Sequence, residues 1–340
     1  MRVEPVLTRA DYRDFLRAAD GQPRDLAVPL LESTIRSWWT GRTPHPTPVE
    51  LLVARDDRGA VRGRAVAHTD ARFDAKLGTR AQLFGAVELG VSAEGGREVL
   101  AALVSHLAGR ARETGAVELI GPVSLLPNQA GGVITSGFDE RGFVDSAWNP
   151  AWVPGVYEDA GFTRWNESDT WIVTSPGAQG PSDAEIADAG ITIQHARRRD
   201  IPALLPVMRD LVNASFAQLP YYTEISPGEF AAATDGLAWL LDAKLLLIAR
   251  DGAGQAVAFV LVIPDITPFV QRVQGRLGPL EQVRLLLTQG RLPREAILII
   301  QGTRPDLQGH GILTLLSRQL QANLATGGYT ALRSTYVGRD

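Results

Sequence analysis

Cysteine is missing altogether from the 340 residues. Its absence excludes disulfides, thiolate zinc sites and a cysteine nucleophile, and it fits a reducing compartment. Lysine is nearly missing: Lys76 and Lys244 stand among 34 basic residues, set against 38 acidic ones. The resulting net charge of −4, with no Lys-rich helix, provides no concentrated basic face, so no nucleic-acid partner is expected. Long apolar runs are also lacking. "VAFVLVIP" (Val257–Pro264), among the longest, has the length of a strand and not of a membrane span, so no membrane partner is expected. The opening "MRVEPVLTRADYRDFL" carries acids early and no apolar segment of the signal-peptide kind. The expectation is a cytoplasmic protein. His45, His68, His106, His195 and His310 share no ligand spacing, and no metal site is expected.

What is present is a globular composition, 45% hydrophobic and 21% charged, on a chain long enough for two cores. "TSPGAQGPSDAE" (Thr174–Glu185) is rich in Pro, Gly and Ser and separates two strand-like stretches. The expected organisation is a first domain over 1–175, a linker over 176–187 and a second domain over 188–340. The two sides share an order of elements. "ELLVARDDRGAVRGRAVAH" on the left and "KLLLIARDGAGQAVAFVLVI" on the right each read as paired strands joined through Asp and Gly, which is hairpin chemistry. Each side then has a long strand, a helix and another strand. Leu100, Leu103, Val104 and Leu107 form one helical stripe, and Ile312, Leu315, Leu316, Leu320 and Leu324 the other. Gly115 and the Gly327-Gly328 pair stand where a left-handed residue ends each helix. The chain reads as a tandem duplication of one α/β unit.

A glycine loop lies between the last long strand and its helix, in "GTRPDLQGHGIL" (Gly302–Leu313). A helix start exposes unpaired N–H groups and the positive end of the helix dipole. Gly309 and Gly311 carry no Cβ and leave the backbone open to a diphosphate, and Gln308 either caps the loop or donates to a phosphate oxygen. His310 points outward as a loop residue. Two glycines in a strand-to-helix turn also serve shape alone.

The order of elements resembles the GNAT superfamily of acyl-CoA-dependent N-acyltransferases, over nearly the whole chain. "PDLQGHGIL" is similar to its pyrophosphate loop, Gln/Arg-x-x-Gly-x-Gly/Ala, with Gln308 and Gly311 in the first two fixed positions and Leu313 where Gly or Ala is usual. "NPAWVPGVYEDAGF" (Asn149–Phe162) resembles the superfamily's late helix through Asn149, Tyr157, Glu158, Gly161 and Phe162. "GPVSLLPNQAGGVITSGFD" (Gly121–Asp139) is similar to a segment of bacterial proteins with two GNAT units, with Asn128 in the central position. The left half has "GVSAEGGREVL" where its own phosphate loop would stand.

The resemblance implies an α/β fold of two tandem GNAT-like units, with mixed sheets flanked by helices. It implies acetyl-CoA or another acyl-CoA as co-substrate, held by Thr303, Gln308, Gly309, His310, Gly311, Ile312 and Leu313. The acceptor would be a small-molecule amine that attacks the thioester directly. Tyr157 takes the role of acid toward the departing thiolate, Glu88 that of base and Asn128 that of a substrate contact. The alternatives are a solvent-facing carboxylate for Glu88, a packed aromatic for Tyr157 and an Asx-turn for Asn128. Trp148 and Trp152 line an acceptor pocket or pack as core. The second unit ends at Asp340 without the last helix and strands of the usual unit. A cut chain, the other half, or a second subunit in a homodimer would account for the missing layer. A non-catalytic duplicated fold and an aminoacyl-tRNA-dependent transferase are the other function classes, the latter opposed by the acidic balance.

Overall fold

The computed structural model describes residues 1–125, 131–144, 146–234, 241–288 and 294–339. Strands β1 (Arg2–Pro5), β2 (Glu50–Arg55), β3 (Val61–His68), β4 (Ala81–Glu88) and β5 (Glu118–Ile120) lie side by side in that order. β1 to β4 are antiparallel neighbours, and β4 and β5 run parallel, as a crossover helix permits. A second sheet contains β6 (Ser168–Thr174), β7 (Ile191–His195), β8 (Leu246–Asp251), β9 (Ala256–Pro264), β10 (Glu295–Thr303) and β11 (Ala331–Gly338). Its order is β6-β11-β10-β9-β8-β7, with β10 and β11 parallel.

Both hairpins form where the Asp and Gly residues predict them, and by the same chemistry. Asp56 Oδ1 accepts the N–H groups of Arg58 and Ala60 at 2.9 and 2.8 Å, and Gly59 takes φ 81°. Asp251 Oδ1 accepts those of Ala253 and Gln255 at 3.0 and 2.9 Å, and Gly254 takes φ 79°. In each case a carboxylate replaces backbone partners that the turn cannot supply, and glycine adopts the left-handed conformation without a Cβ clash. The crossovers repeat as well. Arg80 donates to Thr114 O after one helix, and Arg294 to Gly327 O after the other.

The predicted stripes are the faces that pack. Leu100, Leu103 and Leu107 of helix Ala93–Thr114 are buried against β2, β3 and β4 with Val153, Val156 and Tyr157 of helix Val153–Asp159. On the other face of the first sheet, helices Arg9–Arg17 and Glu32–Trp39 bury Phe15, Ile35 and Trp38 against Leu51, Val53 and Val66. In the second sheet, helix Ile312–Thr326 buries Ile312, Leu316, Leu320 and Leu324 against β8 and β9. The helix stops are Gly115 at φ 73° and Gly328 at φ 72°.

The division between the two compact units differs from the expected boundaries of 1–175 and 188–340. One unit is Met1–Trp165 with Ile266–Leu292, and the other is Asn166–Asp265 with Pro293–Asp340. Two local causes explain the difference. β6 pairs antiparallel with β11, Ala331 opposite Thr174 and Ser334 opposite Trp171, so this strand belongs to the second sheet and occupies the position beyond β11. The segment after β9 returns to the first unit. Gln271 donates to Ala27 O at 3.0 Å, Glu32 N–H donates to Gly275 O at 3.0 Å, and Val144 N–H donates to Thr267 Oγ1 at 3.0 Å. Gly275 tolerates that approach because a Cβ there would lie 2.3 Å from Leu30 O. No helix among the described residues is long and apolar enough to cross a membrane.

Candidate active site

β4 and β5 keep their register for three pairs, from Ala81 opposite Glu118 to Leu83 opposite Ile120. The chain after β5 then crosses over Gly85, where a Cβ would stand 2.0 Å from Val123 O. One residue later β4 bulges. Ala86 takes φ 49°, unusual for a residue with a side chain, and the register with β3 slips between Arg64 and Val66. β3 stays paired with β4 past the bulge at Arg64 and Glu88, whereas the pairing with β5 ends at Leu83, and a cavity of about 160 Å³ lies beside this end of β4. Its lining comes from both faces of the sheet: Trp38 and Val66 from one core, Trp152, Val153 and Tyr157 from the other. Gly85→Ala should cost about 1–3 kcal/mol, because a backbone oxygen and not a flexible side chain must move. A melting temperature equal to that of the parent would contradict the crossing.

Glu88 closes β4 and lines the cavity. Its Oε1 accepts from Arg64 Nη2 at 3.3 Å and its Oε2 from Gln22 Nε2 at 2.8 Å. The side chain is 20% exposed, so the carboxylate faces an interior ion pair and not open solvent. Burial raises its pKa above the ordinary carboxylate range, against the opposing pull of Arg64 and Gln22. Arg64 is 3% exposed, donates to Phe15 O at 3.1 Å and stacks over the Phe15 ring, and burial lowers its pKa. Tyr157 is 6% exposed, with its ring edge-on to Phe162, and its hydroxyl is buried with no hydrogen-bond partner. Burial first, then the charge of Glu88, pushes the phenol pKa upward, so Tyr157 holds its proton at neutral pH. Asn149 fastens the cavity wall: its Oδ1 accepts from Ile134 N–H at 2.8 Å and its Nδ2 donates to Ile134 O at 3.2 Å.

In the second unit, the turn from β10 into helix Ile312–Thr326 spans Arg304–Gly311. Gly309 and Gly311 take φ 80° and 77°, and nothing approaches within 4 Å of a Cβ on either. Gly311 is the helix N-cap and supplies no side-chain cap, so the first N–H groups of that helix face an exposed loop. Gln308 Nε2 donates to Thr303 O at 3.2 Å. His310 is exposed, with Nδ1 3.1 Å from Gln308 O. Ile312 is buried in the second core, Leu313 packs against it, and the Thr303 hydroxyl is buried without a partner. The first unit has only Leu89–Ser92 for this turn. There Ser92 Oγ accepts from Gly95 N–H at 3.3 Å, and Trp152 lies where a Cβ on Gly96 would meet it at 2.4 Å.

No protein-family model matches the chain. Protein YghO of Escherichia coli (strain K12) is 24% identical over 293 residues, 82% of this chain and 73% of that protein. Among solved structures, a tandem GNAT protein from the clavulanic acid biosynthesis pathway is similar over 100% of this chain and 90% of its own, at 13% identity and a TM-score of 0.54. The GCN5-related glucosamine N-acetyltransferase region of a fungal multi-domain GH3 beta-N-acetylglucosaminidase aligns over 99% of this chain at 14% identity and a TM-score of 0.58. This chain spans 35% of that fungal protein. The fold is a tandem GNAT fold.

Within that fold the two GNAT units differ in their chemical groups. Counting eight residues from Arg80 along one strand reaches Glu88, and eight from Arg294 along the other reaches Gly302. A Cβ on Gly302 would collide with Ser215 at 2.7 Å, so the second unit has packing where the first has a carboxylate. The structure brings Glu88 and Tyr157 into one cavity, and Trp148 and Trp152 with them. Asn128 lies outside the described residues. Arg64, His68 and Gln22 line the cavity and were not anticipated. The signal for two of them lies in "VRGRAVAH", where Arg64, Val66 and His68 alternate onto one face of β3.

Proposed function

We propose that the protein is an acyl-CoA-dependent N-acyltransferase, carrying an acetyl or other acyl group to an amine of a small molecule. The tandem GNAT fold supports acyl transfer in general. The observation behind the finer reading is that Tyr157, whose buried hydroxyl has no hydrogen-bond partner, lines the same cavity as Glu88 where β4 and β5 part. In this reading the amine nitrogen attacks the thioester carbonyl, a C–N bond forms and the C–S bond breaks. Glu88 accepts the proton that the ammonium loses, and Tyr157 donates its proton to the departing thiolate. A buried carboxylate with a raised pKa is suited to the first task, and a phenol that stays protonated to the second. Activity should therefore rise with pH as Glu88 deprotonates, with a limb above the ordinary carboxylate range that disappears in Glu88→Gln.

Within the second unit, taken by itself, the Gln308–Leu313 loop is the proposed coenzyme-binding loop, because its uncapped helix start has room and N–H groups for a diphosphate. The first unit's helix start is capped by Ser92 and covered by Trp152, which does not suit a diphosphate. That last observation favours a second reading, a duplicated GNAT fold that binds a ligand without turnover.

Acetyl-CoA separates the two readings. At 100-fold over its dissociation constant it should stabilise the folded protein by about 2.7 kcal/mol, a rise in Tm of roughly 5–10 °C. Gly311→Asp should remove that rise and still fold, because Asp tolerates the left-handed conformation better than most residues while placing a carboxylate beside the phosphates. Thiol release on adding amines supports the enzyme. A Tm rise without thiol release from any amine supports the binding protein, and a flat melting curve removes both.

A further inference from the structure

Helix Pro279–Thr288 of the first unit turns apolar side chains outward. Leu285 faces the core and is fully buried. Val283 and Leu287 follow Leu280 by three and seven residues, so the three share one helix face, roughly opposite Leu285. Leu280 is 76% exposed, Val283 54% and Leu287 79%. Single exposed leucines are commonplace, but a stripe of them along the outer face of a helix marks a surface that meets something apolar.

The flank of that stripe is basic. Arg284, next to Val283 on the helix, lines a pocket with Arg24, Arg272 and Arg276, and all four are exposed. None of the four forms an ion pair or hydrogen bond among the described residues, and Glu281 is the one carboxylate in the described lining. In a chain of net charge −4, an excess of three positive charges is thus gathered in one place. The segments that bear the arginines are tied together. Gln271, beside Arg272, donates to Ala27 O, and Gly275, beside Arg276, accepts from Glu32 N–H.

We infer that this face docks on an anionic phospholipid bilayer, with headgroup phosphates at the arginine pocket and Leu280, Val283 and Leu287 at the acyl boundary. Charge complementarity selects that occupant. Arginine meets phosphate through two parallel N–H donors, and arginines beside an apolar stripe are the pattern of a helix that lies in a membrane interface. A second copy docked through the same patch about a two-fold axis would set four arginines against four. A free phosphate would answer the arginines but leave the leucines in water. The lack of a membrane-spanning helix among the described residues bears on insertion and not on surface contact. Nor does the net charge oppose the contact, since exposed charges beyond a Debye length of about 8–10 Å are largely screened. The inference does not depend on the acyltransferase reading.

Vesicle sedimentation with the full chain tests it, using phosphatidylcholine alone and equal parts phosphatidylcholine and phosphatidylglycerol. The protein should pellet with the mixed vesicles and stay in solution with phosphatidylcholine alone. NaCl at about 1 M, where the Debye length is about 3 Å, should release most of it. Arg276→Gln with Arg284→Gln should weaken binding roughly 30-fold, at the usual contribution of a basic residue near an anionic surface. Leu280→Ser with Leu287→Ser should weaken it roughly 100-fold through lost apolar burial. All four substituted side chains are exposed, so both variants should melt with the parent. No pelleting with the mixed vesicles, equal pelleting with both compositions, or binding that survives either double substitution would overturn the inference. A Tm rise in inorganic pyrophosphate without pelleting would overturn it in favour of a soluble phosphate ligand. Capture by poly-glutamate and not by vesicles would do so in favour of an acidic protein partner, and a dimer that Leu280→Ser with Leu287→Ser dissociates, in favour of a second copy.

Discussion

Tyr157→Phe should lose roughly 10²–10⁴-fold in kcat for thiol release from acetyl-CoA, the range of a general acid, and should melt no lower than the parent. The two halves of this result have one origin. The hydroxyl is buried without a partner, so the folded protein gains nothing from it and deleting it removes an unsatisfied group. The ring remains packed against Phe162 and the core of helix Val153–Asp159. A packed aromatic with no chemical task would show the unchanged melt and an unchanged rate. A drop of several degrees would mean that the hydroxyl is satisfied and structural. Only a lost rate with a retained melt supports the proposed acid.

Arg64→Met should destabilise the first unit by roughly 2–4 kcal/mol near neutral pH, because it strands the Glu88 carboxylate beside the core. The cost falls below that of a fully buried pair, since Glu88 keeps 20% of its side chain in solvent and can take up a proton. The pH dependence has a definite sign. Burial already raises the folded pKa of Glu88 above its unfolded value, and loss of Arg64 removes the largest opposing cause. Between the unfolded and folded pKa values the folded state holds more protons, so stability falls as pH rises through that window. The Tm deficit of Arg64→Met should therefore be small at pH 5 and larger at pH 8. Equal deficits at both would show that the guanidinium contributes packing over Phe15 and not charge.

Much of the local structure was legible because its causes are contiguous in the chain. Asp56 and Gly59, like Asp251 and Gly254, make their turns from within five residues. The leucine stripe of helix Ala93–Thr114 and the left-handed stop at Gly115 obey helix geometry regardless of what lies opposite. Glu88 and Tyr157 were named from a resemblance, and their meeting in one cavity depends on elements far apart in sequence. His68 was passed over because a lone histidine carries no spacing signal.

The sequence by itself determined the repeated unit: two hairpins, two glycine-stopped crossover helices and a glycine-opened helix start at Gly311, each written in the φ preferences and side-chain periods of neighbouring residues. The tertiary structure alone decided which sheet receives β6, where the segment after Ile266 docks and which polar side chains share a cavity. Strand pairing satisfies backbone groups that are alike at every residue, so Ser168–Thr174 holds no local record of β11 as its partner. The cavity lies beside the end of β4, past the point where Gly85 lets the chain after β5 approach closely, a consequence of contacts between residues about 40 positions apart.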